Sequence, residues 1–109
     1  MISVSFKRDK QNNPIGFKCI GHAGFASYGK DIVCAAVSIL AFTAVNSIDE
    51  LTEDPFIFDQ NEKKGMYYLE FRDTPSESAI LLLKSFEIGI RSITEVYSHK
   101  YIKIVDWEV

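Results

Sequence analysis

The sequence changes character twice within residues 14–53, which read PIGFKCIGHAGFASYGKDIVCAAVSILAFTAVNSIDELTE. Apolar side chains alternate through residues 15–19, the period-two spacing of a strand with one buried face. Three glycines among residues 21–29 then predict an irregular loop. From about residue 30 to about residue 53 there is no Gly or Pro, and apolar residues recur at helical spacing over most of the circumference. The stretch therefore predicts a strand, a loop and a long helix that is buried on several sides.

The segments on either side predict two hairpins. Residues 2–8 alternate between apolar and polar side chains, and turn-forming residues 11–14 follow them. This strand is therefore expected to pair with the strand that begins the stretch above. A second hairpin is predicted from residues 56–59 and 66–71, which are joined by residues 60–65.

A second helix is predicted to begin near Thr74. Thr74 would be its N-cap, Pro75 its first helical residue and Glu77 the partner in a capping box. Its apolar face is predicted to hold Ile80, Leu83, Phe86, Ile90, Ile93, Val96 and Tyr97. Residues 101–107 predict a last strand.

The predicted order is strand-strand-helix-strand-strand-helix-strand. It indicates an α+β fold, with two helices packed on a largely antiparallel sheet of about five strands. The chain has 109 residues, of which 47% are hydrophobic and 25% charged, as in ordinary globular proteins. Residues 1–109 therefore predict a single domain.

Charge and hydropathy make several partners and locations improbable. A net charge of −3 argues against nucleic-acid binding, which usually needs a basic surface. The longest apolar run, residues 32–42, is shorter than the roughly 20 residues of a membrane span. The first residues lack the basic and apolar segments of a signal peptide. We therefore expect Cys19 and Cys34 to be thiols in a reducing compartment, the cytoplasm.

Cys34 and His22 form the pattern that points to catalysis. Cys34 falls in the first or second turn of the predicted long helix, where backbone N–H dipoles would lower the pKa of its thiol. His22 lies twelve positions earlier, and the glycine-containing loop is long enough to bring its imidazole to the sulfur. A cysteine beside a histidine is a nucleophile beside its general base.

Each residue of this region also has a purely structural interpretation. Cys34 alone would be a small, inert core residue, and His22 alone would bond its own loop. Asp31 is either a helix cap or a third residue that orients His22. Ser38, one turn after Cys34, either lines a pocket or bonds a carbonyl of its own helix.

Other chemistry has weaker support. Cys19 alternates with core residues, and His99 follows the second helix, where a cation suits the helix dipole. The sequence has no short ligand pair for zinc, no Cys-x-x-Cys redox motif and no phosphate-binding glycine motif. We therefore expect neither a metal nor a cofactor.

Two motifs resemble a known family. Residues 21–23, GHA, and residues 29–38, GKDIVCAAVS, closely resemble the ribosomal-processing cysteine protease family Prp. The family pattern is G-H-A, a short variable loop, G-x-D-I-V-C-A-A or -A-G, and then Ser. The resemblance extends over the whole chain in length and in the order of strands and helices, and it includes Tyr28 before the second motif.

The resemblance implies a substrate, an assembly and site residues. Family members remove a short N-terminal extension from large-subunit ribosomal protein twenty-seven, and they form homodimers. His22 and Cys34 match the catalytic dyad, and Asp31 and Ser38 match further motif positions. A non-catalytic ribosome-associated binding module and a thiol redox or acyl-carrying protein are the alternatives.

Acyl transfer at Cys34 would also need an oxyanion site and a substrate-binding loop. The backbone N–H groups of Gly29 and Cys34 are candidates for the oxyanion site. The loop that closes over the peptide is expected to contain Gly21, Gly24, Phe25, Tyr28 and Gly29. Its aromatic residues would contact aromatic substrate side chains, or else they are exposed loop residues or dimer contacts.

Overall fold

The seven predicted elements form in the predicted order in the computed structural model, which describes residues 1–27 and 31–107. The elements are β1 (Ile2–Arg8), β2 (Pro14–Ile20), α1 (Ile32–Leu51), β3 (Phe56–Asn61), β4 (Met66–Phe71), α2 (Glu77–Tyr97) and β5 (Ile102–Asp106). The strands make one five-stranded sheet in the order β3-β4-β2-β1-β5. All neighbouring pairs are antiparallel except β1 and β5, which are parallel. The α+β prediction is therefore confirmed.

The pairing of β2 with β4 has a direct consequence for the site. Cys19 near the end of β2 lies opposite Tyr67 near the start of β4. The chain that leaves β2 therefore emerges beside the turn that joins β3 to β4. The sequence predicts each hairpin separately, but it does not predict which strands of the two hairpins become neighbours.

Both helices contribute to a core with one face of the sheet. Phe17, Cys19 and Leu69 of the sheet are fully buried, as are Val33 and Ile48 of α1. α2 completes the core with Leu83, Phe86 and Ile90. Burial of each large apolar side chain contributes about 1.5–3 kcal/mol, so this packing fixes where α1 begins relative to β2. The prediction that Cys19 faces the core is confirmed.

α1 is less buried than predicted. Ile32, Ile39 and Leu51 are 50%, 66% and 71% exposed. The sheet and α2 pack against one side of α1 in this single chain, so its opposite side stays uncovered. By length and composition alone α1 could also cross a membrane, with a mean hydropathy of 1.8, although residues on its packed side belong to the core.

α2 begins later than predicted, because its N-cap is Ser76 and not Thr74. Asp54 accepts hydrogen bonds from the backbone N–H and the hydroxyl of Ser76, at 2.6 and 2.7 Å. These bonds hold Ser76 in an extended conformation, and its hydroxyl oxygen accepts from the backbone N–H of Ala79. Val96 was also placed on the buried face wrongly, since it is 73% exposed.

Candidate active site

The chain leaving β2 packs closely against the β3–β4 turn. The N–H of Gly21 donates to the carbonyl of Lys64 at 3.0 Å. Gly65 has a φ of +59°, and a Cβ atom there would lie 2.2 Å from the carbonyl oxygen of Gly21. Gly21 has a φ of +107°, and its own Cβ would lie 2.4 Å from the carbonyl oxygen of Met1. Glycine is therefore required at both positions for these backbones to approach.

His22 follows directly and lies at the rim of a cavity. Its Nε2 atom is 2.9 Å from the carbonyl oxygen of Lys63, in the same turn. The cavity has a volume of about 580 Å³. Its lining includes His22, Gly24, Asp31, Cys34, Ser38 and Tyr67.

Cys34 is the third residue of α1 and is partly buried. Its Sγ accepts a hydrogen bond from the backbone N–H of Ala23, at an N–S distance of 3.1 Å. Ala23, the residue next to His22, therefore contacts the sulfur. The side chains of His22 and Cys34 both line one cavity, and direct contact between the imidazole and the sulfur stays a prediction.

Asp31 joins the helix to the loop. It is the N-cap of α1, and its Oδ1 accepts from the N–H groups of Val33 and Cys34, each at 3.0 Å. Its Oδ2 accepts from the N–H of Phe25 at 3.0 Å. Burial would raise the pKa of Asp31, but the backbone hydrogen bonds outweigh burial and lower it. The predicted cap is confirmed, and orientation of His22 by Asp31 stays a prediction.

The pKa of Cys34 differs in direction from the sequence-based expectation. Burial raises it, the negative charge of Asp31 raises it further, and the Ala23 hydrogen bond only partly compensates. Burial is the largest cause, and Asp31 adds to it because its carboxylate takes up the free N–H groups at the helix start and places a negative charge beside the thiol. Burial and the charge of Asp31 both favour the neutral thiol of Cys34 over the thiolate in the free protein.

The two cysteines should differ sharply in reactivity. Burial raises the pKa of Cys19 to about 12, and its side chain is inaccessible. We expect iodoacetamide to modify only Cys34 in the native protein, with a rate that keeps rising as the pH approaches and passes the ordinary thiol value of 9.0. Peptide mass spectrometry over a pH series measures both. A rate that levels off below pH 7 would instead indicate a thiolate–imidazolium pair in the free protein.

One of the two predicted oxyanion donors already has a hydrogen-bond partner. The N–H of Cys34 already donates to Asp31. Gly29, the other candidate, lies outside the described residues, as does Tyr28 of the predicted substrate loop.

Phe25 has a different environment from the one expected of a substrate contact. Its ring makes edge contacts with Tyr97 of α2 and with Tyr101, at centroid distances of 5.8 and 5.2 Å. These contacts attach the loop to the body of the protein. Of the predicted loop residues, Gly21 and Gly24 do line the cavity.

Ser38 bonds across the cavity rather than within its own helix. Its hydroxyl lies 2.9 Å from the hydroxyl of Tyr67, whose ring packs on Phe42 at a centroid distance of 5.3 Å. Tyr67 and the β3–β4 turn were missed by the sequence analysis. The sequence indicated only a hairpin at these residues, and it did not indicate that this hairpin would pair with β2.

The described residues, 1–27 and 31–107, contain no group of three or more His, Cys, Asp or Glu side chains that could hold a metal ion. The cavity instead presents a thiol, an imidazole, two hydroxyl groups and two carboxylates, those of Asp31, which caps α1, and of Glu62. Of these groups, the thiol with the imidazole is the combination that nucleophilic catalysis requires.

Solved structures of known proteins share this fold. A ribosomal processing protease Prp from S. aureus, solved with a covalently linked product peptide, superimposes with a TM-score of 0.90 at 28% identity. The match covers 98% of this chain and 100% of that one. The same protease with a substrate peptide gives a TM-score of 0.84 at 27% identity over the same shares.

Sequence comparison gives the same family. The ribosomal processing cysteine protease Prp of Bacillus subtilis (strain 168) is 31% identical, covering 89% of this chain and 90% of the relative. That of Staphylococcus aureus (strain Mu50) is 33% identical over 90% and 92%. The family model described as cysteine protease Prp matches residues 1–103. With the thiol and imidazole in a single cavity, this chain belongs to the Prp family of cysteine proteases.

Proposed function

We propose that this protein is a cysteine endopeptidase that removes the N-terminal extension of large-subunit ribosomal protein twenty-seven, a step in ribosome maturation. One observation carries the proposal. His22 and Cys34 line the same cavity, and Ala23, which directly follows His22, donates a backbone hydrogen bond to the cysteine sulfur. The relatives named ribosomal processing proteases, and the related structures with a substrate and a product peptide, support the substrate class.

The reaction follows from the two side chains. His22 takes the proton of the Cys34 thiol, and the thiolate attacks the scissile carbonyl carbon to form a tetrahedral intermediate. The C–N bond breaks as the imidazolium gives its proton to the leaving amine, which leaves a thioester on Cys34. Water, deprotonated by His22, then attacks the thioester, and the new carboxylic acid leaves as the thiol re-forms. The Ala23 N–H stabilises the thiolate while it exists.

Intact-mass spectrometry of the ribosomal protein after incubation with the purified chain tests this function. We expect the mass to fall by that of the N-terminal extension, at one position, under reducing conditions. An unchanged mass would favour the non-catalytic ribosome-associated module. Alkylation at Cys34 with no cleavage of any peptide would favour a thiol redox or acyl-carrying protein.

We also propose that two copies pair through the outer faces of the helices. Ile39 of α1 and Ile88 of α2 are each 66% exposed. They are the sequence neighbours of Leu40 and Gly89, which contact each other where the two helices meet. A second copy of the chain would cover these outer faces from the side that the sheet leaves open.

Sedimentation equilibrium checks the pairing. We expect a dimer mass for the wild-type chain and a monomer mass for the double variant Ile39→Glu with Ile88→Glu, because the charges would be buried in the interface. Lys18→Glu, an exposed change on the sheet, is the control and should stay dimeric. A monomer mass for the wild type at all concentrations would contradict the proposal.

The cytoplasm is the compartment we propose for this activity. Both cysteines are free, and a reducing compartment keeps a thiol nucleophile in its reduced form. Cell fractionation with an antibody to the chain checks this location, and recovery only in a membrane or secreted fraction would contradict it.

A further inference from the structure

We propose that the main-chain carbonyl of Lys63 orients His22, so that Nε2 keeps a proton and Nδ1 is the atom that takes the proton of Cys34. This inference rests on the proposed function. It makes the β3–β4 turn, which is distant in sequence from both motifs, a part of the catalytic centre.

The first step follows from hydrogen-bond chemistry. A carbonyl oxygen can only accept, so the ring atom 2.9 Å from Lys63 must be a donor, Nε2–H. A neutral imidazole that carries its proton on Nε2 has its lone pair on Nδ1. As long as this bond holds, Nδ1 is the basic atom of His22. Nε2 donates its hydrogen bond to the carbonyl of Lys63 in both the neutral and the charged ring.

The second step is the rigidity of the turn that presents this carbonyl. The N–H of Gly65 donates to the carbonyl of Glu62 at 3.1 Å, and the N–H of Lys64 donates to the side chain of Asn61 at 3.2 Å. The carbonyl of Lys64 accepts from Gly21 at 3.0 Å. Two successive carbonyls of the turn therefore hold two successive residues. The carbonyl of Lys63 binds the ring of His22, and the carbonyl of Lys64 binds the backbone N–H of Gly21.

Gly65 is the residue that allows this approach. A Cβ at position 65 would lie 2.2 Å from the carbonyl oxygen of Gly21 and 3.2 Å from Cε1 of His22. The residue also has a φ of +59°, which disfavours other side chains. Gly65 is therefore a positioning residue that acts on the imidazole through the turn.

Asp31 is less suited to the same task. Its two oxygens accept from backbone N–H groups of Val33, Cys34 and Phe25, which fixes the helix start and the loop.

Histidine labelled with ¹⁵N tests the tautomer without any substrate. The chain has only two histidines, so His99→Gln assigns the signals. Above the pH at which the ring titrates, we expect long-range ¹H–¹⁵N correlations to show His22 protonated on Nε2. Protonation on Nδ1 would overturn the inference. Since this measurement needs no cleavage, a wild-type chain that cuts nothing would count against the proposed function alone.

Gly65→Ala tests the role in catalysis. Displacement of the turn should lower kcat roughly 100-fold and change KM less than about threefold, because a misplacement of about 1 Å at a reacting group costs a factor of that size. The His22 signals should become a mixture of tautomers. Asn12→Ala is the matched control, since Asn12 has a φ of 67° in the turn between β1 and β2 and should keep the wild-type kcat. A folded Gly65→Ala variant with wild-type kcat and tautomer would overturn the positioning role.

Discussion

Replacement of Cys34 by Ala is expected to abolish cleavage of the ribosomal protein extension, with a fall in kcat/KM of at least about 10⁴-fold. The variant loses the atom that forms the thioester, so no covalent intermediate is possible. The fold should survive, because Cys34 is only partly buried and Ala suits a helix. Progress curves by mass spectrometry, together with a thermal melt of the same sample, measure the two quantities.

Cys19→Ala is the matched control for this prediction. Cys19 is fully buried in the sheet, so the change should cost about 1 kcal/mol of stability and leave kcat/KM within about twofold. Loss of activity in both variants would indicate general damage to the fold. Cleavage by the Cys34→Ala variant at the wild-type rate would rule out the proposed nucleophile.

Replacement of Asp31 by Ala is expected to lower both the stability of the fold and the activity. The start of α1 loses its cap, which costs about 1–2 kcal/mol of the free energy of unfolding. The loop loses its bond at Phe25, so the backbone that contacts Cys34 is no longer held. We expect kcat/KM to fall roughly 10- to 100-fold. Urea denaturation and cleavage assays measure the two effects separately.

Asp31→Asn separates the cap from the charge. The Asn carbonyl oxygen can still accept from Val33 and Cys34, so the stability should remain close to that of the wild type. Its amide faces the donor N–H of Phe25, so the bond to the loop is lost, and removal of the charge lowers the pKa of the Cys34 thiol. Equal stability losses in the Asn and Ala variants would contradict the capping role.

The contribution of Asp31 to stability should also depend on pH. Its pKa in the folded protein is below the ordinary value of 3.8. A carboxyl group with a lowered pKa stabilises the fold fully above its unfolded value, and this stabilisation is lost as the pH falls through the folded value. The difference in stability between wild type and Asp31→Ala should therefore shrink at acidic pH, below about 4.

Much of the fold was predictable because its signals are local. The alternation in β1 and β2, and the long stretch without Gly or Pro in α1, each depend on residues close in sequence. The capping role of Asp31 and the placement of Cys34 in the first turn of α1 follow in the same way. The start of α2 was wrong by about two residues, because Asp54, 22 positions away, decides it through Ser76.

The site was only partly predictable. The motif residues identified His22 and Cys34, and the glycine loop between them made their contact plausible. The pKa of Cys34 was expected in the wrong direction, because that expectation considered the helix dipole and His22, whereas burial raises the pKa most and the negative charge of Asp31 raises it further. The sequence did not indicate that Phe25 packs against Tyr97 and Tyr101, and its contact with substrate stays a prediction.

The sequence by itself determined the strands, the helices, the thiol and the imidazole, because periodicity and capping are interactions between near neighbours. Only the tertiary structure decided that β2 pairs with β4, and hence that the turn containing Lys63 and Gly65 meets His22 and that Tyr67 meets Ser38. The physical reason is that strand pairing depends on which apolar faces can share one core. That is a property of the whole chain, and no local segment encodes it.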